Sequence, residues 1–140
     1  YNNDIGYKST YGALYNWFTV KTGKLCPIGW HVSSDIEWTT LTSYLGGTTV
    51  AGGKLKEAGT SHWTSPNEGA TNVSDFTALP GGSRLNNGSF IEIGVSSRWW
   101  SSTEFSSSTA WYRVLSYQNS GVGFNDGGKG SGFYIRCLKD

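Results

Sequence analysis

Two histidines, two cysteines and a scatter of carboxylates are the side chains in this 140-residue sequence that could carry proton-transfer, metal or covalent chemistry. His31 and His62 each stand beside a tryptophan, Trp30 and Trp63, in segments that read as structural. The many serines include none in a nucleophile elbow or another activating setting, so a Ser/His/Asp arrangement has no support. Glu37 falls in a helix cap, and Asp75, Glu92, Glu104 and Asp126 lie on separate loops or strands. No spacing therefore sets two carboxylates across a glycosidic bond. The expectation is a protein that is not an enzyme.

Cys26 and Cys137 show no C-x-x-C spacing for zinc or for thiol exchange. A disulfide between them is the economical reading, and two independent buried thiols are the alternative. Closing so long a loop stabilises a fold by roughly 4–5 kcal/mol in the chain-entropy picture. A disulfide also implies an extracytoplasmic location, whether secreted, on a cell surface or on a virion.

Recognition chemistry is better represented than catalysis. Tyr112, Ser116, Tyr117, Asn119, Phe124, Asn125 and Asp126, together with Ser106, Ser107 and Ser108, combine rigid aromatic area with short adaptable polar groups, as paratopes do. Strand alternation sets Tyr112, Val114 and Ser116 on one face and Trp111, Arg113, Leu115 and Tyr117 on the other. With Trp111 and Leu115 read as core, Tyr112 and Ser116 are expected on the open face, with Tyr117 at the strand end and a loop from Gln118 to Ser131 beside them. Trp99 and Trp100 are read as scaffold.

The elements that must position this face follow from local patterning. Tyr11, Leu14, Tyr15 and Phe18 recur at helical spacing, which predicts a helix over Tyr11 to Val20. Ser34 and Glu37 form a capping box, with Asp35 adding charge at the positive end of the helix dipole. Trp38, Leu41 and Leu45 give that second helix a buried stripe, and Gly46-Gly47 supplies its left-handed stop. A further helical turn is possible around Leu55, although Gly52 and Gly53 weigh against it. Ala58 to Thr77 reads as an ordered loop pinned by Trp63 and Phe76. Beyond Arg84 the pattern becomes β, with a hairpin at Asn86-Asn87-Gly88. Strands are expected at Trp99 to Ser102, at Ala110 to Tyr117 and, last, at Gly132 to Leu138. Seven Trp and eight Tyr let aromatics build much of the core.

Composition excludes some partners. Eleven basic against ten acidic residues, with no basic run, leaves nothing to neutralise a series of phosphates, so nucleic acid is not an expected partner. No stretch is long and apolar enough to span a bilayer, and Tyr1 to Tyr7 carries no signal peptide pattern.

The ordered blocks YGALYNWFTV, LCPIGWHVSSDIEWTTLTSYLGG, AGGKLK, FTALPGGSR, RWWSSTE, AWYRVL and GFYIRCLKD resemble the Fibrobacter succinogenes major paralogous domain. The resemblance runs from Tyr11 to Asp140 and implies an α+β, C-type-lectin-like fold. Two main helices would occupy the N-terminal half, and short twisted antiparallel strands with long ordered loops the C-terminal half. The family is abundant in secreted and lipid-anchored proteins of Bacteroidota and their relatives. Its usual N-terminal block is missing here, so residues 1–140 are expected to be a single domain excised from a longer surface protein.

His31 to Leu41 and GFYIR also resemble formylglycine-generating-enzyme-like domains. With only Cys137 in the C-terminal region, the oxidase activity is not carried over. The stretch Ser106 to Ser131 further resembles the C-terminal face of variable proteins of diversity-generating retroelements, with an ordinary polar loop as the alternative. True C-type lectins bind sugar through calcium, and Phe124-Asn125-Asp126 echoes one of their motifs. A calcium site from Glu104, Asn125 and Asp126 is possible, but no metal or other cofactor is expected. The expected function is non-catalytic recognition of a protein or glycan by a bacterial or phage surface protein. An architectural or adhesin-assembly role in the cell envelope is the alternative.

Overall fold

The computed structural model describes residues 1–140. Its helices are α1 (Ile5–Tyr11), α2 (Trp17–Lys21), α3 (Asp35–Tyr44) and α4 (Ala51–Leu55). Its strands are β1 (Trp30–Val32), β2 (Gly81–Arg84), β3 (Phe90–Ile93), β4 (Ser96–Glu104), β5 (Thr109–Ser116), β6 (Gly123–Gly128) and β7 (Cys137–Lys139). The architecture is α+β and accords with a C-type-lectin-like fold.

The capping box forms as its spacing requires: the Glu37 amide donates to Ser34 Oγ, and the Ser34 amide donates to Glu37 Oε2 at 2.8 Å. Trp38 and Leu45 are buried and Leu41 partly so. Gly46 and Gly47 end the helix with φ of 102° and 95°, a conformation that costs a glycine little.

The helix predicted over Tyr11 to Val20 is instead two short helices. Gly12 ends α1, Tyr15 exchanges backbone hydrogen bonds with Phe133 at 2.8 and 3.1 Å, and Asn16 then caps α2. A long-range bridge thus outcompetes local helical bonding across Leu14 and Tyr15. Tyr11 and Leu14 of the apolar stripe read from the sequence pack against the core, but beyond the break the buried pair is Trp17 and Val20, and Phe18 is exposed.

Gly52 and Gly53 do lie in a helix, α4, and for a steric reason. A Cβ on Gly52 would stand 2.0 Å from the Gly121 carbonyl oxygen, and one on Gly53 would stand 2.2 Å from that of Gly69. The glycines let two loops press on α4, where Gly53 N donates to the Ser120 carbonyl.

Five strands form one sheet in the order β3-β2-β4-β5-β6, and β1 pairs with β7 in a second. The sheet is mixed, not wholly antiparallel as expected, because β2 meets β4 in parallel at Gly82 and Ser97. The hairpin at Asn86-Asn87-Gly88 joins β2 to β3. The final strand is shorter than the one read over Gly132 to Leu138; Phe133 and Tyr134 make only isolated bridges before β7.

Both faces of the sheet are covered, so adjacent Trp99 and Trp100 are both buried, each in a different core. Trp99 and Leu115 join Trp38, Leu45, Leu55 and Trp63 on the α3 side. Trp100 and Ala110 join Trp17, Val20, Val32 and Phe133 on the other. The indole N–H groups of Trp17, Trp63 and Trp100 donate to the carbonyls of Ser101, Ala78 and Tyr15, so these rings bury area without stranding a donor. The Cys26–Cys137 disulfide is formed, beside the β1–β7 pair.

Candidate functional site

The residues expected to form one face fall into three groups. Gln118 to Ser131 is not a single loop. Gly123–Gly128 pairs with β5 as the outer strand of the sheet, which sets Phe124, Asn125 and Asp126 opposite Arg113, Tyr112 and Trp111. Strand pairing holds them more rigidly than a loop would.

Ser116, Asn119, Phe124 and Asn125 come together. They line a groove of about 600 Å³ with Thr48, Thr49, Val114 and the backbone of Gly121 to Gly123. No charged side chain lines it. A smaller cavity of about 230 Å³ adjoins on the α3 side and shares Thr48, Val122 and Phe124 with it. The Phe124 ring, 57% exposed, is therefore a wall common to both.

Tyr112 does not belong to an open face. Its ring packs edge-on against Phe133 at 4.8 Å and Trp100 at 6.2 Å, because the second core covers the side of β5 that alternation had left open. Trp111, read as core, is only partly buried. It sits between the exposed rings of Phe105 at 4.7 Å and Phe124 at 6.4 Å, forming an aromatic line from the β4–β5 turn across β5 to β6. Tyr117 packs against the α3-side core, and its hydroxyl accepts from Gln118.

Ser106, Ser107 and Ser108 form the β4–β5 turn, away from the groove. Ser106 Oγ accepts from the amides of Ser108 and Thr109, and the carbonyls of Ser106 and Ser107 accept from Lys129 Nζ at 2.8 Å. The Lys129 ammonium also bonds Glu104, which Lys21 approaches at 3.7 Å. Those cations hold the Glu104 carboxyl below its ordinary value and engage the oxygen that a calcium site would need. No cluster of three or more His, Cys, Asp or Glu side chains is arranged to hold a metal ion.

The groove is braced from beneath by Lys56, a residue that sequence reasoning missed. Its side chain is fully buried, and Nζ donates to the carbonyls of Glu68, Ser116 and Asn119, each at 2.9 Å. Two of those three belong to the groove's rim. Burial lowers its pKa to about 8, with the negative charge of Glu68 opposing the fall. Buried Arg113 bonds Asp35 Oδ1 at 2.6 Å and the Thr39 hydroxyl at 3.2 Å, tying β5 to α3 while its guanidinium lies 5.6 Å from the Phe124 ring centroid. Asp35 thus serves an ion pair as well as the helix dipole. Thr48 and Thr49 also escaped the sequence reading, since nothing marks two threonines after a helix stop as neighbours of a strand some 75 residues on.

The two histidines have structural partners. His31 bonds Asp140 and Glu37, and these carboxylates, Asp140 first, raise its pKa. His62 Nδ1 lies 2.9 Å from Glu57.

A disulfide-closed α+β domain with a rigid, uncharged groove at its sheet edge is thus the class that the geometry defines. The family model of the Fibrobacter succinogenes major domain matches residues 1–139, and the chain belongs to that family. The match takes in Tyr1 to Thr10, which lie outside the blocks quoted from the sequence. No curated protein and no solved structure matches the chain.

Proposed function

We propose that this domain is a non-catalytic recognition module of a secreted or surface-displayed bacterial or phage protein, and that it binds a protein or glycan partner through the groove around Phe124. The observation that carries the reading is the Phe124 ring: a large apolar group left exposed on a paired strand, between two cavities, with hydroxyl and amide side chains around it. Exposed aromatics backed by rigid scaffold are what interfaces use as anchors. The Cys26–Cys137 disulfide supports an extracytoplasmic setting. Positions such as Ser116, Asn119 and Asn125 lie on the surface, where diversification would alter a ligand contact and spare the core. Binding is expected to survive a calcium chelator, because Glu104 is committed to Lys129.

The test is binding of the purified domain to arrayed glycans and to bacterial and host cell surfaces. Phe124→Ala is expected to weaken capture at least about tenfold, a change of about 1.4 kcal/mol, with a melting temperature within a few degrees of the parent. Tyr112→Ala serves as the contrast: it opens the core beside Trp100 and Phe133, so the melting temperature falls. Unchanged affinity in Phe124→Ala would overturn the site, and capture by nothing on the panel would favour an architectural role.

A further inference from the structure

Away from the Phe124 groove, a cavity of about 330 Å³ opens between the segment Thr10 to Tyr15 and the residues leading into β7. Tyr11, Tyr15, Leu79, Trp99 and Tyr134 contribute to its walls, and the one charged residue among its lining is Arg136. The phenols do not offset that charge. Burial raises the pKa of both Tyr11 and Tyr134, which keeps them neutral at any physiological pH.

Four arginines lie over aromatic rings, Arg84, Arg98, Arg113 and Arg136, and Arg136 has the shortest such approach. Where Arg113 is paired with Asp35, Arg136 takes part in none of the ion pairs of the chain. Its guanidinium makes one hydrogen bond, to the Phe76 carbonyl at 2.7 Å, and lies 4.3 Å from the Phe76 ring centroid. That stacking covers one face of the guanidinium, and its pKa falls through partial desolvation, while the rest of the side chain stays exposed to solvent. The remaining N–H groups of the fork have no protein acceptor and are open to a bidentate carboxylate. Arg136 and Phe76 also line a second cavity, where Glu37 and Asp75 add negative charge that repels an anion from that side. An aromatic wall with one oriented polar anchor, in a volume near 300 Å³, is the make-up of a small-molecule pocket.

We propose that the cavity beside Tyr11 binds a small aromatic carboxylate, its acid group paired with Arg136 and its ring against Tyr15, Trp99 and Tyr134. This site is separate from the Phe124 groove, and neither depends on the other.

The experiment is an NMR titration of the nitrogen-15-labelled domain with 3-phenylpropionate and with its neutral amide. The acid is expected to shift the Trp99 indole N–H and the backbone amides of residues 134–136 saturably, and the neutral amide to bind at least about tenfold more weakly. Arg136→Gln should weaken the acid by a similar factor and abolish the preference over the neutral amide. Ala13→Trp should narrow the cavity from its exposed side and weaken both ligands, and it decides the matter alone if Arg136→Gln does not fold. Equal binding of acid and amide, shifts confined to other residues, no saturable shift, or an affinity indifferent to the variants would each overturn the proposal.

Discussion

The turns at the two ends of β5 are each held by a buried lysine, and the two lysines are satisfied differently. Lys129 holds the β4–β5 turn through two carbonyls and the carboxylate of Glu104, so its charge is met by an opposite charge. Lys56 holds the β5–β6 turn and the Ala58–Thr77 loop through three carbonyls and makes no ion pair. The Trp63 ring, 5.4 Å away, adds a cation–π contact. Backbone dipoles can thus hold a buried ammonium where no carboxylate is in contact with it, but two segments of chain then depend on one side chain. The turn beside the candidate groove is the more dependent one.

The comparison is broken most directly at Lys56. Lys56→Met strands the carbonyls of Glu68, Ser116 and Asn119 and is expected to lower the unfolding free energy by about 3 kcal/mol or more, read from the urea midpoint. The same variant should lose partner capture, since Ser116 and Asn119 line the groove. Lys129→Met should cost less, about 2 kcal/mol, because the Glu104 side chain is 42% exposed and water can take over its hydrogen bonds. Capture should persist there, the β4–β5 turn lying away from the groove. Equal losses of stability in the two variants would show that the missing counter-charge does not matter.

Titration sharpens the same contrast. The folded-state pKa of Lys56, about 8, lies below the ordinary 10.5, so between these values the unfolded chain binds the additional proton. Stability should therefore rise with pH across that window, and the rise should be smaller in Lys56→Met. Urea midpoints measured at about pH 7.5 and 9.5 check this.

His31 offers the smallest effect and the opposite sign. Its pKa is raised by Asp140 and Glu37, so its contribution is complete below the ordinary histidine value of 6.5 and is lost as pH rises through the folded-state value. Glu37 is held low, chiefly by the Ser34 amide, and its own contribution is lost only as pH falls through that lowered value. The clamp is strongest between the two. His31→Gln should lower the melting temperature at mildly acidic pH and leave it nearly unchanged in alkali.

The α3 cap, its glycine stop, the β2–β3 hairpin and the disulfide were legible because each is written in a short span or a single pair of residues. The break between α1 and α2 was not, since it depends on Phe133, more than a hundred residues further on, bonding to Tyr15. Alternation on β5 separated its two faces correctly but did not show that the face read as open is covered at Tyr112 and open only towards Ser116. A period of two gives the parity of side chains and not what covers each side. Here α3 and its cluster cover one face and α2, β1 and Phe133 the other, so Tyr112 was assigned to solvent when it is packed.

Spacing by itself determined the cap and pointed to the cysteine pair, because local hydrogen bonding and the covalent bond leave little for distant residues to change, and the resemblance of the ordered blocks to a known family supplied the family and the class of fold. Composition and spacing also marked Ser116, Asn119, Phe124 and Asn125 as surface candidates. Only the tertiary structure decided that these four meet Thr48 and Thr49 in one groove, that Lys56 supports it, and that Arg136 faces an aromatic cavity without a counter-ion. Those arrangements arise from contacts between segments far apart in the chain, and the packing that brings them together leaves no periodic trace in either segment.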